Sequence, residues 1–395
     1  MAVGSGRSGG SGSVFTPAFL RVAATGFLVF ATFQGLMAVL PLFMAAHGMG
    51  VAEVGWAAGL FTVTAVVLRP SVGRELDRRG RRRLYLGGVL VIAAAFIMLP
   101  WATSISSILL LRVLHGLGWA LASTAAGTLV QDVVPPSRRG EATGYYSNFT
   151  DLAMAAGPFV ASAIMTQFGF SVFVWVCAGA LLLGWAVLLP LREPRVSARR
   201  PPSELLVTTA RLPAAVQLLM NLNFGTVMTF LPLLAVRHGL TRPIAGVAAY
   251  SFFYVAYAFT LLIARGPLGR LSDRRGRGLV IVPGLVLLTV AAVSLTHLAS
   301  VLTLVVSAIL FGLGFGAAQP AVLAWTIERT AESSWGGAAG TYYAAFDLGI
   351  GLAALALGPV AQTSFTLAFA LGATGSVAAL VVYLVGTGRA WAQPA

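Results

Sequence analysis

The chain has 395 residues, of which 58% are hydrophobic and only 10% charged, with a mean hydropathy of +0.87. A water-soluble domain carries about 25% charged residues to face solvent, so this composition excludes an ordinary soluble fold and points to lipid as the main solvent. The net charge of +14 does not make a nucleic-acid binder of it, because all 26 cations are arginines and most of them cluster between apolar segments.

Taken in order, residues 1–14 are Gly/Ser-rich and lack the apolar core of a cleavable signal, so residues 1–17 read as a disordered cytoplasmic leader. Apolar stretches divided at polar or Pro/Gly breaks give twelve spans near 18–46, 52–72, 84–102, 105–131, 141–166, 170–190, 213–236, 244–264, 279–297, 301–327, 336–361 and 364–386. Arginines crowd alternate connections: 74–83, Arg138 and Arg139, 192–211, and 265–277. That alternation is the positive-inside pattern, which predicts a multi-pass protein of the inner (plasma) membrane with both termini cytoplasmic. The expected layout is a six-helix bundle over 18–191, a linker over 192–212 marked by Pro194, Pro201 and Pro202, a second bundle over 213–388 and a tail over 389–395. The single cysteine, Cys177, lies in an apolar segment and reads as structural.

The two halves repeat. Gly73-Arg-Glu-Leu-Asp77-Arg78-Arg-Gly80-Arg81 recurs 196 residues on as Gly269-Arg-Leu-Ser-Asp273-Arg274-Arg-Gly276-Arg277. The same register carries Gly116 and Gly118 onto Gly312 and Gly314, Gly144 onto Gly340, Tyr146 onto Tyr342 and Asp151 onto Asp347. Parallel six-helix repeats are one way in which transporters place a site between two halves that rock.

These residues resemble the major facilitator superfamily over nearly the whole chain after residue 17. The loop signature G-x-x-x-D-[RK]-x-G-R-[RK] is complete at Gly73 to Arg82; Arg112-x-x-x-Gly116-x-Gly118 is similar to the second motif, and Gly144 with Gly157-Pro158 is similar to part of the antiporter motif. Departures are Ala153, Ala161 and Ser162 where that motif carries glycines, and Gln34 where many fourteen-span drug exporters carry an acid. The resemblance implies an all-α membrane protein, the MFS fold of twelve transmembrane helices in two pseudo-twofold-related bundles. It also implies that Asp77 contacts the start of the eleventh helix and that Arg81 pairs with Asp132, with Asp273, Arg277 and Glu328 repeating this in the second half. With Gly73, Arg78, Gly269 and Arg274, these form the expected gating set; the alternative is a plain topogenic signal.

Three charged groups fall within the membrane. Arg112 lies about 10 Å into the fourth span, where an arginine costs about 2.5–3.5 kcal/mol on insertion scales and so lines a wet cavity, finds a partner or snorkels. Asp151 and Asp347 lie roughly 16 Å deep, where a carboxyl is placed for proton exchange. All three are candidate proton-coupling residues, although a small-residue face around each aspartate also suits helix packing. Arg112, His115, Trp119 and Ser123 share a helical face whose repeat mates are Ala308, Phe311, Phe315 and Gln319. By resemblance, helices one, four, seven and ten line the cavity, adding Gln34, Asn221 and Asn223. Tyr250, Tyr254 and Tyr257 form another face, and packing is the competing reading for all these aromatics.

No phosphate loop, metal-ligand cluster or nucleophile elbow is present, so neither cofactor nor enzymatic activity is expected. The expected function is proton-coupled efflux of small amphipathic organic molecules by alternating access, by a monomer whose partners are substrate, protons and membrane lipids. The alternatives are an uptake symporter or sugar facilitator of the same fold, and a membrane-embedded enzyme or receptor without transport.

Overall fold

A computed structural model describes residues 13–135, 138–193, 207–244, 247–331 and 334–391. Its long helices are α1 (Pro17–Ala46), α2 (Val51–Arg79), α3 (Arg81–Met98), α4 (Ile105–Asp132), α5 (Arg139–Leu188), α6 (Arg211–Arg237), α7 (Ser251–Arg275), α8 (Gly278–Leu295), α9 (Val301–Glu328), α10 (Trp335–Thr363) and α11 (Phe365–Trp391). Without water every backbone amide must find its partner within the chain, and continuous helices provide that.

Eleven helices supply twelve crossings because α5 is two helices in one. Its 50 residues would span about 75 Å, more than twice a hydrocarbon core of about 30 Å. Gly169, at φ 85° and ψ 173°, turns the chain between segments 139–168 and 170–188, a conformation that a Cβ would oppose. In the second half the matching break is the extended Ser364, at φ −153°, between α10 and α11. One boundary differs from expectation. A short antiparallel ladder, Pro243–Ile244 with Val247–Ala248, precedes α7, so the eighth span begins at Ser251 and runs on to Arg275. Arg265, read as the first residue of a loop cluster, therefore lies inside a membrane helix.

The repeat in the sequence becomes a pseudo-twofold in the packing. α4 packs on α2 and α3 as α9 packs on α7 and α8, and α1 packs on α5 as α6 packs on α10 and α11. Small residues permit these approaches, as they do generally between membrane helices. A Cβ on Gly118 would sit 2.9 Å from the Gly88 carbonyl oxygen, and one on Gly314 would sit 2.7 Å from that of Gly284. Likewise Gly116 abuts the Phe61 carbonyl and Gly312 that of Tyr257, each at 2.6 Å. Helix starts repeat as well: the Ser104 hydroxyl accepts from the Ser107 amide and Ser300 from that of Thr303.

The bundles meet through α2 against α10 and α5 against α7. At the arginine-poor end the meeting is tight. Gly55 of α2 lies against the Ala354 carbonyl and Gly358 of α10, and at the symmetry-related place Ser251 of α7 donates to the Ser162 hydroxyl of α5. At the arginine-rich end it is open. Gly73, Gly144, Gly269 and Gly340, one from each of the four interface helices, have no atom within 4 Å of where a Cβ would stand, outside their own helical surroundings. The structure thus holds the two bundles closed at one end and parted at the other.

Candidate substrate and coupling site between the bundles

Within the membrane, the interface between the bundles carries a layer of four charges. Arg69 Nη2 of α2 lies 2.5 Å from Asp347 Oδ2 of α10, and Arg265 of α7 forms an ion pair with Asp151 of α5. Each pair joins one bundle to the other, and the repeat register carries one onto the other: Arg69 onto Arg265 and Asp151 onto Asp347. Counted along their helices, all four lie roughly 21–27 Å from the closed end. The side chains are 14–23% exposed, so the layer is largely desolvated yet reachable from the open side. Burying these charges is tolerable because each has its counter-ion; removing one would strand the other.

Three further residues adjoin the layer. Arg265 Nη2 also donates to Gln319 Oε1 of α9 at 3.0 Å, whose backbone carbonyl accepts from the Tyr342 hydroxyl at 2.9 Å. Tyr343, 42% exposed, stands within electrostatic range of Arg69, Arg265 and Asp347. Asp151 and Asp347 are thus drawn into one arrangement, with partners that the sequence reading missed. Arg265 had been counted with the positive-inside cluster 265–277, and Arg69, inside the second span, had been passed over. The signal that could have found them was the repeat itself, which sets two arginines 196 residues apart inside or beside apolar spans.

Arg112 is not part of this layer; of the three outcomes open to it, a wet cavity, a partner or snorkelling, it finds partners. It is 1% exposed and held inside the first bundle. Its Nε donates to the Ala57 carbonyl at 3.1 Å, a guanidinium nitrogen lies 3.1 Å from His115 Nδ1, another lies 3.6 Å from Met37 Sδ, and Cζ sits 4.4 Å over the Phe61 ring. No ion pair with a carboxylate is formed among the described residues. Arg112 only donates, so His115 Nδ1 accepts and the ring proton sits on Nε2. His115 is itself enclosed by Phe33, Phe61 and Phe96. A void of about 10 Å³ beside Arg112, shared with Met37, Val54 and Thr229, is room for about one water.

The substrate residues expected on helices one, four, seven and ten divide. Trp119 lies tilted against Phe33 with ring centroids 4.3 Å apart, and its repeat mate Phe315 stacks on Phe224 at 4.6 Å, so each bundle has an aromatic pair at the same place. Asn223 does not face the space between the bundles. Its Nδ2 donates to the Leu288 carbonyl at 3.0 Å and to Ser376 Oγ at 2.8 Å, because α6 turns that side toward α8 and α11. Asn221 packs against Gly349 of α10 and donates to the Gln217 carbonyl at 2.8 Å. Gln34 is buried in α1. Tyr250 and Tyr254 are buried with ring centroids 6.4 Å apart.

The arginine-rich loops carry a second set of ion pairs. Arg81 pairs with Asp132 between α3 and α4; Arg277 pairs with Asp273 and, at 2.5 Å, with Glu328. The Asp77 side chain lies outside the described residues, as does the linker segment 194–206. Arg78 is 75% exposed and 3.7 Å from Glu75, Gly73 and Gly269 border open space, and Arg274 lines an open cleft of about 490 Å³ with Pro267, Arg270, Leu271 and Arg275. One contact had no forerunner in the sequence reading. Glu193 Oε1, just past the first bundle, accepts from the amides of Arg81 at 2.6 Å and Arg82 at 3.1 Å, capping the positive start of α3.

Two mirrored bundles of six crossings, closed at one end and meeting on a buried charged layer, define a transporter rather than an enzyme. The chain belongs to the Major Facilitator Superfamily, which it matches over residues 22–259 and again over 214–393. Among curated proteins it is 24% identical to the Staphylopine export protein of Staphylococcus aureus, over 87% of this chain and 89% of that one. It is 26% identical to the Multi-drug resistance efflux pump PmrA of Streptococcus pneumoniae, over 80% of this chain and 82% of that one. Of solved structures, the nucleoside transporter NupG superposes with a TM-score of 0.73 at 13% identity, over 93% of this chain and 98% of that one. This last likeness concerns the fold alone.

Proposed function

We propose that this multi-pass transporter exports small amphipathic organic molecules in exchange for protons, by exposing the space between its bundles alternately to the two sides of the plasma membrane. The arginine-rich end is the cytoplasmic one, by the positive-inside rule, so the conformation described here opens inward and is ready to load from the cytoplasm. Export is favoured by the relatives whose names state export or efflux.

The observation that carries the coupling is the mirrored pair of ion pairs between the bundles, Arg69 with Asp347 and Arg265 with Asp151. A proton on either aspartate cancels one of the two charges that hold the bundles together in a desolvated place, and so changes the relative free energy of the two openings. Arg112, enclosed within the first bundle, then serves as a fixed positive charge that sets the field around α1 and α2. The loop pairs of Arg81 with Asp132 and Arg277 with Glu328 stiffen each bundle at its cytoplasmic end as the two rock.

Everted vesicles given an inward-acid gradient should accumulate a fluorescent efflux substrate, and Asp151→Asn and Asp347→Asn should each cut that uptake by about tenfold or more, the size of one lost charge interaction. Undiminished gradient-driven transport by both variants removes the aspartates from the mechanism. Net influx into intact cells under a physiological gradient selects uptake instead.

A further inference from the structure

The charged layer also constrains what is carried. An exporter driven by proton exchange needs substrate and proton to exclude one another at a shared group. In this layer the shared groups are the carboxylates of Asp151 and Asp347, and a ligand competes with a proton for a carboxylate by presenting a cation to it. An anionic ligand does the reverse: it binds the arginine, and its binding is helped when the neighbouring aspartate is protonated and lets go. That makes proton and ligand travel together.

The arginines are the second constraint. A purely cationic ligand that drew Asp151 to itself would leave Arg265 with only the neutral Gln319 amide for a partner, and one that drew Asp347 would strand Arg69. An unpaired guanidinium at this depth is costly. A ligand carrying both an ammonium and a carboxylate avoids both penalties. Its ammonium takes the aspartate and its carboxylate takes the arginine, so one buried ion pair becomes two with no change in net charge. The carboxylate suits the planar guanidinium fork, and Tyr343, exposed and within electrostatic range of both arginines, offers an aromatic ring to the rest of the molecule.

We propose that the Arg69–Asp347 and Arg265–Asp151 pairs are a twofold-related binding site for a zwitterionic amino-carboxylate, which opens each pair by inserting between its members. The assignment rests on the proton-exchange reading and names its substrate class.

The test uses the full-length protein in lipid nanodiscs and three related fluorophores. Nε-dansyl-lysine carries a free ammonium and a free carboxylate, its methyl ester only the cation, and its Nα-acetyl derivative only the anion. The zwitterion should bind at least about tenfold more tightly than either relative, as expected for one additional charge-assisted contact, and its affinity should fall as the pH is lowered. The neutralised doubles Arg69→Gln with Asp347→Asn, and Arg265→Gln with Asp151→Asn, leave no orphan charge and so should remain folded by size-exclusion chromatography. In each the preference for the zwitterion should shrink, and with both doubles combined it should reach unity.

Equal binding of the three probes, including no saturable binding of any, overturns the assignment, as does an undiminished zwitterion preference in both doubles. Proton-driven export is scored separately, in proteoliposomes with cationic dyes. Dye export without a zwitterion preference sinks the substrate class and leaves the exchange reading standing. Zwitterion binding that is insensitive to pH, with no gradient-driven flux, leaves the site and sinks the exchange.

Discussion

At the scale of single residues, the chemistry turns on which charges have lost their water and which have not. Asp347 and Arg69 are 18% and 23% exposed in their side chains, whereas Asp273, in the loop, is 65% exposed. Asp347→Asn should therefore destabilise the protein by about 3 kcal/mol, because it leaves Arg69 buried without its counter-ion. Adding Arg69→Gln should recover most of that loss. Asp273→Asn should cost under about 1 kcal/mol, since an exposed pair is weak to begin with. Thermal unfolding of the three variants beside the parent protein in detergent decides it; equal losses for Asp347→Asn and Asp273→Asn would show that the interface pair is not desolvated. The sequence made the aspartates visible because acids are rare in this chain, with only 12 in all. It hid their partners because arginine is common, and an arginine near a loop is explained well enough by topology. Asn223 was misplaced for a related reason: helical spacing locates a residue on a face, but which neighbour that face meets depends on how the helix is rotated in the bundle.

Among elements, close packing and open space alternate along the same helices. Gly314 brings α9 within backbone contact of α8 at Gly284, and a larger side chain there must push two helices apart. Gly314→Val should cost about 1–3 kcal/mol, the usual price of overfilling a packed interior. Gly127 of α4 has no atom within 4 Å of a Cβ position beyond its own helical surroundings; Gly127→Ala should be neutral or gain up to about 1 kcal/mol from helix propensity. Fluorescence-detected size-exclusion melting curves separate the two, and similar shifts for both would contradict the packing described. The duplicated glycines were legible in the sequence as a repeat. Their division of labour was not, because a glycine against a backbone and a glycine facing a gap look alike until the neighbouring helix is in place. The break at Gly169 was legible only in part: two spans were expected on either side of it, but not that a single residue at positive φ would make the turn between them.

For the whole molecule, the twofold repeat sets the number of ways in which the bundles can touch, and this conformation uses one end of it. At the closed end Ser162 and Ser251 meet side chain to side chain, while Gly144 and Gly269 on the same two helices face a gap at the other end. If the bundles rock as rigid bodies, that serine contact must part whenever the opposite end closes. Replacing the serines by Ser162→Cys and Ser251→Cys puts two sulfurs where two hydroxyls touch, and a disulfide forms where side chains already meet, with Cβ atoms 3.5–4.5 Å apart as a rule of geometry. The native Cys177 is buried, and Cys177→Ala removes it from the exchange. Oxidation should trap the form open at the arginine-rich end: transport stops, access from that end persists to a maleimide probe at Gly340→Cys, and dithiothreitol restores transport. Continued transport by a fully cross-linked protein would mean that this contact stays shut throughout the cycle. The bundles would then have to work by some motion other than rocking about the charged layer between them.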